Sequence, residues 1–271
     1  RDAVTLKFIN SKCSSSAKFQ DDLFSSTAIP YDSLKTLGKF NNEHNGILEA
    51  YVYSRFSRKH TQLKTALELS SSATFDVEEF VDSFTQESGL KRSTDKIYEI
   101  VIYALFEALL ELFGVSFSVS LKNMDKDIHK EFLGFAELVL DLEDEFDYSK
   151  NEEAHFFRAG VTNAADRGID LYANSGQVVQ VKHVDLDNKT LQGIGSSVSS
   201  NRIVIVCKGF QEKTISSVLH QLGFADRIQS IITFDKIYSW YASAFSAKYA
   251  DNLAPKIKEI IREQISLEFL I

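Results

Sequence analysis

Asp170, Gln180 and Lys182 are the residues whose types and spacing carry chemistry in this chain. Side chains alternate across a strand. In Val178-Val179-Gln180-Val181-Lys182, Gln180 and Lys182 therefore share one face, and Val179 and Val181 the other. In the preceding run Asp170 and Tyr172 share a face, while Ile169, Leu171 and Ala173 share the opposite one. Asn174-Ser175-Gly176-Gln177 separates the two runs, and a glycine in so short a loop marks a hairpin. A three-residue loop would set Asp170 opposite Lys182. A carboxylate, an amide and an ammonium would then gather over an apolar floor. A hard divalent cation such as magnesium takes carboxylate and carbonyl oxygens and keeps several waters. Asp170 offers one such oxygen and the Val181 carbonyl another. Lys182 beside them would position a metal-bound water or lower its pKa, and would stabilise charge on a phosphate. The plain alternative is the exposed polar face of an edge hairpin, with Asp170 and Lys182 as a cross-strand ion pair of about 0.2–1 kcal/mol.

The elements that must position these residues can be read from the pattern around them. A long helix is expected over residues 94–113, with Ser93 or Thr94 as N-cap and Gly114 as terminator. At about 100° per residue, Ile97, Val101, Ala104, Leu105, Ala108 and Leu112 share a face, and Glu99, Tyr103 and Glu107 fall on the other side. Residues 115–120 alternate apolar residues with Ser and read as a strand. Another helix is expected over 125–140, followed by an acidic run (141–147, with Glu152 and Glu153) that reads as a solvated loop. After the hairpin come a short helix over 189–199 and Arg202-Ile203-Val204-Ile205-Val206-Cys207, an apolar run fitting a buried central strand. Then follow a helix near 211–222, a strand near 228–233, a helix near 234–248 anchored by Trp240 and Tyr241, and an amphipathic helix from Pro255. Alternation of this kind makes an α/β sandwich with a mixed sheet. The first 90 residues read as mainly helical, with a loop at 70–74 entering a helix at Asp76, Glu78 and Glu79.

Composition narrows the function classes. At about 150 residues per domain, 271 residues make one large or two modest domains. With 44% hydrophobic and 25% charged residues, and only 12 Gly and 2 Pro, the chain is an ordinary globular one and not a linker or fibre. Cys13 and Cys207 cannot form a disulfide framework, so a reducing cytoplasm is the expected setting. Cys207 reads as a packing residue. The formal charge of −8 excludes a wholly basic nucleic-acid coat but not a local basic cleft. The most apolar stretch, 97–119, carries Glu99, Glu107 and Glu111, which suits a core helix rather than a membrane span. The chain starts at Arg1 rather than Met, so no targeting reading is taken from that end. The six histidines are scattered without zinc-type spacing. Gly193-x-Gly195 lacks a third glycine and reads as a flexible loop. No Walker-type Gly-Lys-Ser/Thr and no G-x-S-x-G elbow occurs, so no nucleotide cofactor is expected.

The order helix, strand, hairpin, helix, strand, with Asp170 and then Gln180-x-Lys182, resembles the PD-(D/E)xK nuclease superfamily. Residues 158–170, 179–183 and 201–208 are more closely similar to the HaeII-type family of type II restriction endonucleases. Gly168-Ile169-Asp170 with Gln180-Val181-Lys182 also resembles Mrr-type nucleases. The likeness is best over 91–241 and looser over 45–51. It implies a PD-(D/E)xK restriction-endonuclease-like core, a mixed central sheet flanked by helices, over residues 91–271. A mainly helical region at 1–90 would serve DNA contact or dimerisation. The implied activity is Mg²⁺-dependent cleavage of double-stranded DNA leaving 5′-phosphates, at a palindrome such as purine-GCGC-pyrimidine.

The pattern departs from the superfamily at Gln180, since an amide is a weaker cation ligand than a carboxylate. The superfamily often recruits a Glu from the first core helix, which points to Glu99, with Glu107 as runner-up and Asp166 as a further candidate. Arg suits guanine edges and phosphates. Arg158, Arg167 and His183, with Asn163, are therefore the expected DNA contacts near the site. Arg55, Arg58, Lys59, His60 and Lys64 form a basic cluster suited to backbone phosphates. A two-fold target implies a homodimer. Two other readings remain at this stage: an Mrr-like or repair nuclease of looser specificity, and a non-catalytic DNA-binding module, which Gln180 would favour.

Overall fold

The computed structural model describes residues 31–71, 74–86, 93–120, 125–141, 149–159 and 169–269. The chain divides into two compact units, at Lys64 and Thr65. The first contains α1 (Tyr31–Glu43) and most of α2 (Ile47–Ser71), which runs on across the division. Asn45 and Gly46 turn the chain between the helices at φ 51° and 79°. The Asn41 side chain then accepts the Leu48 amide at 2.9 Å and donates to Glu49 Oε1 at 2.9 Å, tying down the start of α2. Arg55, Arg58, His60 and Lys64 are all exposed on α2.

In the second unit α3 (Val77–Gln86) is capped by Asp76, whose carboxylate accepts the Glu79 amide at 2.9 Å. Helix α4 (Thr94–Phe113) occupies the expected span, with Ser93 at its N-cap. Gly114 ends it in the left-handed region at φ 60°, donating to Glu111 O and Leu110 O. The apolar stripe is wider than the expected one. Ile100, Ile102 and Glu99 are buried along with Ile97, Val101, Ala104, Leu105 and Ala108, while Leu112 is exposed. The cause is packing on several sides at once: α3, α10 (Leu253–Phe269), β3 (Phe156–Arg158) and β5 (Val178–Lys182) all contact α4.

β1 (Ser116–Ser120) pairs antiparallel with β2 (Ser149–Glu153) in a two-stranded sheet apart from the main one. Glu152 and Glu153 therefore lie in a strand rather than in the acidic loop expected for them. Residues 142–148 of that run lie outside the described residues. The helix expected over 125–140 is two helices, α5 (Lys126–Glu131) and α6 (Leu133–Leu140), divided at Phe132.

The main sheet has the order β3-β4-β5-β6-β7, with β4 at Leu171–Ala173, β6 at Ile203–Cys207 and β7 at Ile228–Thr233. β3, β4 and β5 are antiparallel neighbours, whereas β5, β6 and β7 run parallel, so the sheet is mixed as expected. The parallel strands need helical crossovers, and α7 (Asn188–Ser197) and α8 (Glu212–Gln221) supply them. Both faces are covered. Ile203, Ile205 and Cys207 pack with Leu191, Ile194 and Ile215 of α7 and α8, and the alternate row of Leu171, Val179, Val181, Val204 and Val206 is buried too. This is why β6 reads as an unbroken apolar run. Gly193 and Gly195 lie inside α7 and not in a flexible loop. A Cβ on Gly195 would fall 2.0 Å from the Phe224 ring, so the glycine serves a close approach of helix and ring. α9 (Phe234–Ala244) follows β7, and the buried Tyr241 hydroxyl donates to Val101 O at 2.7 Å, fastening α9 to α4. Among the described residues no helix is long and apolar enough to cross a membrane.

Candidate active site

The hairpin bearing Asp170 closes on three residues, Asn174-Ser175-Gly176, with the Ala173 amide donating to the Gln177 carbonyl at 2.7 Å. Leu171 pairs with Val179 and Tyr172 with Val178. Asp170 therefore comes level with Gln180, not opposite Lys182, because the three-residue loop starts at Asn174, one residue earlier than that pairing needs. The ladder also becomes irregular here. The Asp170 amide donates to the Val179 carbonyl at 3.1 Å, although Val179 already faces Leu171. The Asp170 carbonyl accepts the Ala159 amide at 2.9 Å, and its carboxylate Oδ2 accepts the Val181 amide at 2.7 Å. A side-chain oxygen thus bonds a backbone donor where the strand pairing lapses. That fixes the carboxyl in the plane where β4 and β5 part.

Burial pushes the Asp170 carboxyl above the usual carboxylate range. The Val181 amide, Lys182 and Lys96 pull the other way, and Asp95 adds to the rise. Lys182, half-buried at the end of β5, is thus within electrostatic reach of Asp170. Gln180 is 3% exposed and is aligned with the core residue Ile205 of β6, so its amide lies inside the sheet packing rather than on an open polar face. Val181 pairs with Val206, and its amide is the group bonded to Asp170.

Glu99 faces inward. Burial, and then Asp170, raise its carboxyl above the ordinary value, against the opposing pull of Lys96 and Arg158. Lys96 Nζ grips both of its oxygens, at 3.0 Å and 2.8 Å. This pair was missed in the sequence, although the spacing of three on one helix is where such pairs form. Glu107 is otherwise engaged. Its Oε1 lies 2.7 Å from His155 Nδ1 and its Oε2 accepts the Phe156 amide at 2.7 Å, so it anchors the start of β3.

Arg158, expected at the DNA, is turned into the protein. Its Nη2 lies 2.7 Å from Glu268 Oε2 and 3.7 Å from Glu99 Oε2, and its Nη1 donates to Gln264 Oε1 at 3.0 Å. Glu268 and Gln264, both on the C-terminal helix, gave no signal in the sequence because they reach β3 from more than a hundred residues away. His183 is exposed and pairs through Nδ1 with Asp95 in the first turn of α4, next to the Tyr98 ring. Asn163, Asp166 and Arg167 lie outside the described residues. Among the described residues no group of three or more His, Cys, Asp or Glu side chains is gathered as a metal cluster.

Two carboxyls and two lysines thus converge where the first core helix meets the end of a central strand. Comparison with known proteins gives the chain a class, that of the type II restriction enzymes. The chain is 45% identical to the type II restriction enzyme HaeII of Haemophilus aegyptius over 272 residues, covering 99% of this chain and 77% of that protein. It is 40% identical to the type II restriction enzyme NgoBI of Neisseria gonorrhoeae over 276 residues, again covering 99% and 77%. The family model described as HaeII restriction endonuclease matches residues 1–271, and the chain belongs to that family. No solved structure matches it.

Proposed function

We propose that this chain cuts double-stranded DNA at a specific palindrome of the purine-GCGC-pyrimidine kind, acting as a homodimer with Mg²⁺ on a PD-(D/E)xK core. The observation that carries the reading is the convergence of Asp170, Glu99 and Lys182 at the end of β5. Burial raises both carboxyls above their ordinary pKa, with Asp170 adding to the rise at Glu99 and Asp95 to that at Asp170. Magnesium keeps several waters and needs few protein oxygens, so Asp170, Glu99 and the Val181 carbonyl form a fitting donor set. Bound there, the ion would neutralise the phosphodiester and acidify a coordinated water.

The chain's own groups do the rest. The Lys182 ammonium positions the attacking water and stabilises charge that develops on the phosphate oxygens. Water attacks phosphorus, the bond to the 3′ oxygen breaks, that oxygen takes a proton, and the phosphate stays on the 5′ end. Gln180 occupies the position of the usual second acid. Buried as it is, it supports the strand from which Lys182 projects. Contacts to DNA near the site come from His183, together with Asn163 and Arg167.

The test is a plasmid of known sequence incubated with protein plus Mg²⁺ or plus EDTA. Discrete Mg²⁺-dependent fragments are expected, and their ends give the site and the stagger. A smear would replace site-specific cutting with a looser nuclease. Lys182→Ala should lose cleavage while still retarding the DNA fragment in a gel, and normal cutting by that variant would overturn the assignment.

A further inference from the structure

We propose that Lys96 is the resident counter-cation of this site: its ammonium holds Glu99 while no metal is bound, and gives Glu99 up when one binds. The inference deepens the reading of Asp170 and Glu99 as metal-holding carboxylates and rests on it. Three observations carry it. Lys96 Nζ meets both oxygens of Glu99, at 3.0 Å and 2.8 Å, so a second cation arriving there meets a resident positive charge. The pair is enclosed, with side-chain exposures of 15% and 7%. It also adjoins Asp170 through one short stretch of backbone. Arg158 reaches Glu99 at 3.7 Å, and the next residue, Ala159, bonds the Asp170 carbonyl at 2.9 Å.

A buried carboxylate must be compensated by a charge or must take up a proton. Arg158 compensates little here, because it is closer to Glu268, at 2.7 Å, than to Glu99, at 3.7 Å. Lys96 is therefore the main compensating charge for Glu99. Its flexible stem lets it swing aside without moving the backbone of α4. An ammonium and a divalent cation on the same two oxygens repel each other, so the two compete for Glu99.

The competition is measurable without any cleavage assay. Calcium is titrated calorimetrically into wild type, Lys96→Met and Asp170→Asn. Lys96→Met should bind calcium at least about tenfold more tightly than wild type, because a competing charge at hydrogen-bond distance is gone. Its Tm in EDTA should be lower than that of wild type, and its calcium-induced rise in Tm larger. Equal affinity in wild type and Lys96→Met, with binding lost in Asp170→Asn, would overturn the inference and leave the metal site standing. No calcium binding by wild type or by Lys96→Met would overturn the metal site, and the inference with it.

A second measurement on the unaltered protein guards against a variant that does not fold. Amine acetylation, read by peptide mass spectrometry, should modify Lys96 slowly in EDTA and faster in calcium. An unchanged or slower rate in calcium would overturn the proposal.

Discussion

Arg158 shows how little residue type alone says about role. An arginine five residues after Glu153 and twelve before Asp170 suits a DNA contact as well as anything else. Its neighbours decide otherwise: Glu268 at 2.7 Å and Gln264 at 3.0 Å draw the guanidinium inward, and both members of the Arg158–Glu268 pair have side chains 8% exposed. Removing one partner of a buried pair leaves the other charge uncompensated, which costs about 3–5 kcal/mol. Arg158→Met should therefore lower unfolding stability by about that amount, read by chemical denaturation. An arginine acting only on DNA would behave differently, with unchanged unfolding and weakened binding. Asp170 makes the complementary point. Its type and spacing singled it out from the sequence, and its carboxylate is bonded where β4 and β5 part. The bonds that hold it there come from Val181 and Ala159, and no pattern of side-chain types announces those.

At the scale of elements, what was legible followed from how strongly one environment dictated the pattern. β6 is buried on both faces and reads as an unbroken apolar run, while α4 has a glycine stop and a broad apolar surface. β3 was not legible because three residues are too few to show a period, and Phe156 and Arg158 serve contacts made by other elements. Its anchor is Glu107, which takes the Phe156 amide with one oxygen and the His155 ring with the other. That bond raises the His155 pKa above its usual value, Glu107 being the main cause. A raised histidine pKa adds stability in full below the unfolded value of about 6.5 and loses it as the pH climbs through the folded value. The His155 side chain is 43% exposed, so the contribution should stay below about 1 kcal/mol. Denaturation of wild type and His155→Gln across that range should show wild type losing its advantage as the pH rises. Parallel pH profiles for the two proteins would mean that the Glu107–His155 pair adds no pH-dependent stability.

At the scale of the whole molecule, charge sets a constraint that no single site resolves. A chain of net charge −8 is repelled by DNA on average, so any surface that binds the duplex must concentrate its cations. Near the site, Lys96 and Arg158 are committed to internal carboxylates and so add little to such a surface. The exposed cations of α2 are spaced differently. Arg55 and Arg58 are three residues apart and Lys64 six further on, with His60 between them, on a helix of 25 residues. At about 100° per residue Arg55 and Arg58 share a face while Lys64 falls on the opposite side, and a pair on one face suits contact with backbone phosphates, whereas base reading needs a few fixed groups at groove depth. Each phosphate contact contributes about 0.9 to the slope of log affinity against log salt. The double variant Arg55→Ala/Arg58→Ala should therefore flatten that slope by about two on a cognate duplex, and should weaken non-cognate duplexes in the same proportion. The fragments cut from a plasmid should keep their ends, since no base-reading group has been touched. An unchanged salt slope would place the phosphate grip elsewhere, and a changed cutting site would make these arginines readers of sequence.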